Sequence, residues 1–243
     1  MLGVNKAYCL CLDKRKEHWL DLEKQCESKG IEFNRFIVGD GKILPPEEYS
    51  QLNTRLPTEF RWGYGGGKND TFKETYKKIT HHYNAFLSHQ AMAKLALDSG
   101  EEKVLFLEDD AYFTNRFDEV VSQIESSDDE LSYDMLYLGW WIGQEGDRFN
   151  EHIEREWKEL SIYQIEKADV IGGLHGVILS RKILDLITKL APVNPIDSQM
   201  NGGTKHKHLC HYKIKSYFVA PKIIHDKGLF SECSQNTIER TKL

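Results

Sequence analysis

Apolar residues cluster from Lys6 to Leu12 (KAYCLCL), which predicts a short buried strand. Asp13 follows as a helix cap, and Lys14 to Lys29 reads as a helix. Trp19, Leu22 and Cys26 recur there at helical spacing, and Lys29-Gly30 marks the stop. Glu32 to Val38 is a second strand, ending in the turn Gly39-Asp40-Gly41. This strand-helix-strand opening favours a parallel sheet with a right-handed crossover. A long helix is predicted from about Phe72 or Ile79 to Leu97, ending at Ser99-Gly100. Further strands are expected at Lys103 to Leu107, Tyr133 to Leu138, Ala168 to Leu179 and Lys213 to Val219, with a helix at Ser180 to Leu190. The alternation predicts an α/β fold, a mostly parallel central sheet flanked by helices, with ligands at the carboxyl ends of the strands.

The 243 residues are read as a single domain spanning 1–243, with residues 42–80 a loop-rich insertion expected to move until something binds. That insertion carries Pro45-Pro46, Pro57 and the run Gly63-Tyr64-Gly65-Gly66-Gly67. No apolar run approaches the roughly 20 residues that span a bilayer. The first residues lack the pattern of a secretory leader, so a cytoplasmic protein is expected, with peripheral membrane attachment still compatible. The net charge of -6 argues against nucleic acid as a partner. The exception to the acidic balance is residues 202–215 (GGTKHKHLCHYKIK), a basic strip that either meets an anionic ligand or is solvated loop. Its histidines and Cys210 lack the second ligand pair of a structural zinc site. Five cysteines without a CxxC pair fit a reducing compartment, and Cys9 and Cys11 should share one buried strand face.

The chemistry concentrates in VLFLEDDAYF, where an apolar strand delivers Glu108, Asp109 and Asp110 to its end. Crowded carboxylates raise one another's pKa, and a divalent cation such as Mn²⁺ or Mg²⁺ relieves that penalty. Such a cation can bridge a diphosphate and stabilise it as a leaving group. Strand alternation puts Glu108 and Asp110 on one face and Asp109 on the other. Asp110 is therefore expected as the principal metal ligand, with Glu108 or Asp109 assisting through water. A solvated acidic strand end is the competing use, as residues 128–130 (DDE) illustrate.

Several segments together resemble glycosyltransferase family 25, which includes lipooligosaccharide β-galactosyltransferases and procollagen galactosyltransferase-like proteins. CLDKRKEHW resembles the family's opening motif, IVGDG its following turn, and Phe86-Leu87-Ser88-His89 its Phe-Leu-Ser-His element. Leu107 to Phe113 resembles its Leu-Glu-Asp-Asp motif, YDMLYLG a later strand, GGLHGVILSRK its Gly-Thr-His-Ala segment, and NPIDSQM its Pro-Val-Asp element. His18 departs from the family's second arginine, and His225 stands where a glutamine is usual.

The resemblance implies a GT-A-type fold and inverting, metal-dependent transfer of a hexose from a nucleotide-sugar donor, usually a UDP-sugar. The acceptor would be a hydroxyl on a glycan or glycoconjugate, in glycan biosynthesis. It implies donor contacts by Asp13, Arg15, Gly39, Asp40, Ser88, His89, Asp109, Gly173 and His175, and metal binding by Asp110. From the residues themselves, His225 is a further candidate metal ligand beside Glu108 and Asp110. Asp197 is the candidate base that takes the acceptor proton, and its competing use is as a helix cap. Asp134 rivals it but sits at a strand start, where a structural role is expected. Trp140 and Trp141 divide between stacking on an acceptor sugar and packing the core. Two other functions share these features: nucleotidyl transfer through the same acidic metal site, and non-catalytic glycan binding.

Overall fold

The computed structural model describes residues 2–12, 15–38, 72–126, 131–142, 160–165, 171–192, 196–200 and 214–227. Asp13, Gly39, Asp40, the 42–71 stretch, residues 128–130 and the basic strip up to residue 213 lie outside the described residues.

The chain opens as strand β1 (Lys6–Leu12), helix α1 (Lys16–Ser28) and strand β2 (Glu32–Val38). Trp19, Leu22 and Cys26 are the buried face of α1, as their spacing requires. The helix begins at Lys16 rather than Lys14, and Arg15 holds the cap position without a side-chain cap hydrogen bond. Gly30 terminates it with φ +70, and the Lys29 and Gly30 amides close on the carbonyls of Cys26 and Glu27. Helix α2 (Phe72–Asp98) then leads to β3 (Lys103–Glu108), β4 (Ala111–Phe113) and α3 (Phe117–Ser126). β5 (Met135–Tyr137), β6 (Trp141–Ile142), β7 (Ser161–Gln164), β8 (Ile171–Gly172) and β9 (Val177–Ser180) follow. The described residues close with α4 (Arg181–Lys189), α5 (Ile196–Met200), β10 (Ser216–Ala220) and β11 (Ile224–Asp226).

The fold is α/β, built on a seven-stranded mixed sheet of order β2-β1-β3-β9-β5-β10-β7. β1 runs parallel to β2 and β3, and β5 parallel to β10, whereas β9 is antiparallel to both β3 and β5 and β7 antiparallel to β10. Five strands thus share one direction and β9 and β7 oppose them. The single strand expected over 168–179 is divided: β8 pairs with β6 in a separate ribbon, and only β9 enters the main sheet. Gly173, at φ +98, turns the chain between them, in a region of backbone space that other residues rarely adopt.

Alternate strand residues serve two cores. Ala7, Cys9, Cys11, Leu105, Leu107, Leu136 and Val219 pack against α1 and α3 on one face. Tyr8, Val104, Phe106, Tyr137, Leu179 and Phe218 pack against α2, α4 and α5 on the other. Cys9, Cys11 and Cys26 are free and buried in the first of these. Asp134 is structural: it accepts hydrogen bonds from the Lys215 amide (2.9 Å) and the Lys182 Nζ (2.8 Å). Trp140 is a core residue, its Nε1–H donating to the Val219 carbonyl at 2.7 Å and its ring edge-on to Phe218. No helix among the described residues is long and apolar enough to cross a membrane.

Three segments meet tightly at one end of the sheet. The Leu138 and Gly139 amides donate to the Gly176 carbonyl, and the Ile223 and Ile224 amides donate to the Leu138 carbonyl. A Cβ on Gly139 would lie 2.7 Å from both His175 Cδ2 and the Ile224 carbonyl oxygen. The backbone atom cannot yield without dragging β11 with it. Gly139→Ala is therefore expected to destabilise the protein by about 3 kcal/mol, a fall of roughly 6–12 °C in Tm. A thermal melt unchanged to within a degree would contradict this packing.

Candidate functional site

The chain passes from β1 to β2 on one side and then, through α2, to β3 on the other side of β1, so the strand order reverses between β1 and β3. In open α/β sheets this switch point opens a crevice at the carboxyl ends of the strands. Glu108, Asp109 and Asp110 sit at that end of β3, beside Leu12 at the end of β1. Because β9 is antiparallel, it starts where its neighbours finish, and Val177 pairs with both Phe106 and Tyr137. The Gly173 to Gly176 segment is thereby delivered to the same edge as the acids.

The three acids fall into two environments. Asp109 is 3% exposed. Its Oδ2 accepts the Leu12 amide at 2.8 Å and its Oδ1 accepts Arg15 Nη1 at 3.0 Å. Glu108 and Asp110 are less well compensated. Burial, then Asp110, Asp197, Asp109 and Asp226, push the Glu108 carboxyl up to about 8. Burial, then Asp109 and Asp226, push Asp110 up to about 6, with Arg15 and a backbone hydrogen bond opposing. The Asp110 Oδ1 is buried and has no hydrogen-bond partner.

Two further carboxylates reach this pair from distant sequence. Asp197 lies in the first turn of α5, inside the helix rather than at its cap, and is partly buried. It raises the pKa of Glu108 and, after burial, that of the Tyr137 hydroxyl on β5. Asp226 ends β11, which pairs antiparallel with β4 so that Asp226 faces Ala111 in the register. The Lys227 amide donates to the Asp110 carbonyl at 2.8 Å, tying the two strand ends together. Sequence reasoning singled out His225 and passed over Asp226 beside it. Only the β4–β11 register, a pairing across more than a hundred residues, reveals the second acid.

His225 is partly buried, with its ring centroid 5.6 Å from that of Tyr112. Burial and then Lys222 lower its pKa, opposed by a backbone hydrogen bond to Lys222 and by Asp226. Among the described residues no three His, Cys, Asp or Glu side chains converge closely enough to hold a metal ion, so Glu108, Asp110 and His225 do not form a ready three-ligand set. His175 is buried against Gly139, within the packing beneath β11. His89 is 3% exposed in the middle of α2. Its Nδ1–H donates to the Ala85 carbonyl at 2.7 Å, its Nε2 is buried without a partner, and burial lowers its pKa to about 4. The ring is therefore a neutral imidazole with a free acceptor nitrogen. Ser88, next to it, is partly buried.

No protein-family model matches the chain, and no curated protein matches it significantly.

Two raised carboxyls carry a definite sign. At intermediate pH, Glu108 and Asp110 retain protons that the unfolded chain releases near 4.5 and 3.8. The folded state then binds more protons than the unfolded state, and stability falls as pH rises through the window from about 4 to about 8. In chelator, Tm is expected to drop between pH 5 and pH 8, and Glu108→Gln should flatten that drop. A Tm that climbs over this range in the wild type would refute the assignment.

Proposed function

We propose that the protein is an inverting, metal-dependent glycosyltransferase of the GT-A type. It would move a hexose from a nucleotide-diphosphate sugar, most simply a UDP-sugar, to an acceptor hydroxyl on a glycan or glycoconjugate. The observation that carries the reading is the pair Glu108 and Asp110. Two partly buried carboxyl groups with raised pKa values meet at the switch point of the sheet, one of them with a buried oxygen left unpartnered. The resemblance of the EDD and Phe-Leu-Ser-His segments to glycosyltransferase family 25 supports it.

The residues fit Mn²⁺ or Mg²⁺ in donor chemistry, because carboxylate oxygens are the ligands such ions prefer. Among the described residues no three such ligands converge, which is compatible with magnesium practice, in which one or two carboxylates are joined by substrate phosphates. Asp110, with Glu108 beside it, would hold the ion, which when bound neutralises charge on the departing diphosphate. Arg15, whose field already reaches Asp110, adds positive charge at the same edge. Asp197 is partly buried and close enough to influence both Glu108 and Tyr137. It would accept the acceptor's hydroxyl proton as the bond to the anomeric carbon forms on the face opposite the leaving group.

The deciding experiment incubates the protein with a panel of nucleotide sugars and Mn²⁺ or Mg²⁺ and measures nucleotide release. A UDP-sugar should be slowly hydrolysed or raise Tm, and Asp110→Asn should abolish both effects. If no nucleotide sugar shifts Tm with either metal, the donor assignment is wrong. Consumption of a nucleoside triphosphate with pyrophosphate release would instead indicate nucleotidyl transfer. Asp197→Asn should keep donor affinity within about twofold while transfer to an acceptor falls roughly 10²- to 10⁴-fold. Undiminished transfer would remove Asp197 from the mechanism.

A further inference from the structure

The middle acid of the EDD segment has a different task from its neighbours. Both of its oxygens are engaged, Oδ1 by Arg15 Nη1 at 3.0 Å and Oδ2 by the Leu12 amide at 2.8 Å, and only 3% of the residue is exposed. A carboxylate so enclosed has little surface left for a substrate. Its two partners bracket residues 13–14, where β1 gives way to α1. Arg15 is held at the cap position of α1, and its side chain is 15% exposed. One carboxylate thus ties the turn after β3 to the end of β1 and the start of α1, across the switch point. We propose that Asp109 is a positioning residue: it fixes Arg15 and the end of β1 against the Asp110 turn and itself touches neither donor nor metal. This rests on the glycosyl-transfer reading for its kinetic consequence, but not for the clasp itself.

A donor contact and a clasp make different predictions. If Asp109 touched the donor directly, removing it would weaken binding whether or not Arg15 were present. If it acts through Arg15, the two changes should not add, because both act on the same guanidinium. Asparagine is the informative replacement, since its side-chain oxygen can still accept the Leu12 amide while the charge that holds Arg15 is gone. This keeps the fold while cutting one arm of the clasp.

The test uses full-length wild type, Asp109→Asn, Arg15→Gln and the double variant, each checked for folding by thermal melt. Without any ligand, the Arg15 Nε–H resonance and the Leu12 amide exchange rate are followed by NMR. A rigid Arg15 in the wild type that becomes mobile in Asp109→Asn, with the Leu12 amide still protected, supports the clasp. An Arg15 already mobile in the wild type overturns it. With Mn²⁺ and UDP as probe, Asp109→Asn and Arg15→Gln should each weaken UDP binding about tenfold, and the double variant should be no worse than either single. For hydrolysis of whichever UDP-sugar the wild type accepts, KM should rise with kcat kept within about threefold. Additive losses in the double variant would overturn the proposal and make Asp109 a direct contact. Should the wild type bind no UDP with either metal, the donor reading fails, and the ligand-free NMR arm still decides the role of Asp109.

Discussion

The crowding of Glu108 and Asp110, each partly buried beside further carboxylates, is the constraint around which the rest of this edge is arranged. Ionised carboxylates lose strongly favourable hydration on burial, and each disfavours the charge of the other. A chain that places three acids in succession at a strand end must compensate some and leave others wanting. Here Asp109 receives a guanidinium and a backbone amide, while its neighbours receive more negative charge, from Asp197 and Asp226. Structural acids at a solvated strand end would show the opposite trend, with charges spread apart and pKa values near normal. The concentration of carboxyl groups at a sheet switch point is the feature on which the proposed cation site rests.

The mixed topology makes that concentration mechanically stable. In a wholly parallel sheet, the edge at the strand carboxyl ends would be built only from loops that leave the sheet. The reversed β9 instead sends a segment into this edge, and its backbone is locked to β5 through the Gly176 carbonyl. The 223–224 segment locks onto β5 in turn through the Leu138 carbonyl, and β11 continues from it to Asp226. Gly139 and Gly176 are glycines because a Cβ at either would come within 2.8 Å of Ile224 atoms. The platform that carries Asp226 is therefore set by backbone contacts rather than by flexible side chains, which is what a pre-organised site requires.

Much of this was legible in the residues alone, and the limit has a physical cause. The apolar run ending in EDD, the 19-22-26 face of α1 and the shared face of Cys9 and Cys11 are local periodicities, and each appears in the structure. The expected structural role of Asp134 is visible for the same reason, since its place at the start of β5 is a local feature. Strand direction is not local: nothing within GGLHGVILS distinguishes a parallel from an antiparallel neighbour, and Gly173 breaking the run depends on its positive φ. Asp226 escaped notice because its importance arises from register with Ala111, while the adjacent imidazole drew attention as a more familiar ligand. Trp140 shows the converse, an aromatic side chain after a strand end whose indole nitrogen finds its partner in the core.

Protonation and cation binding at this edge are two solutions to the same electrostatic problem. Burial and repulsion from neighbouring carboxylates raise both carboxyls, so the pair holds a proton at pH values where free carboxyl groups have lost theirs. Filling Glu108's lone pairs with a divalent ion would expel that proton, so occupancy by metal and by proton are linked through one carboxyl group. Asp110 carries the unpartnered buried oxygen, and Arg15 opposes the rise of its pKa. The two acids are therefore unequal by environment although adjacent in sequence but one. In the proposed metal site that inequality would make Asp110 the first point of attachment, with Glu108 joining only once enough positive charge had arrived to displace its proton.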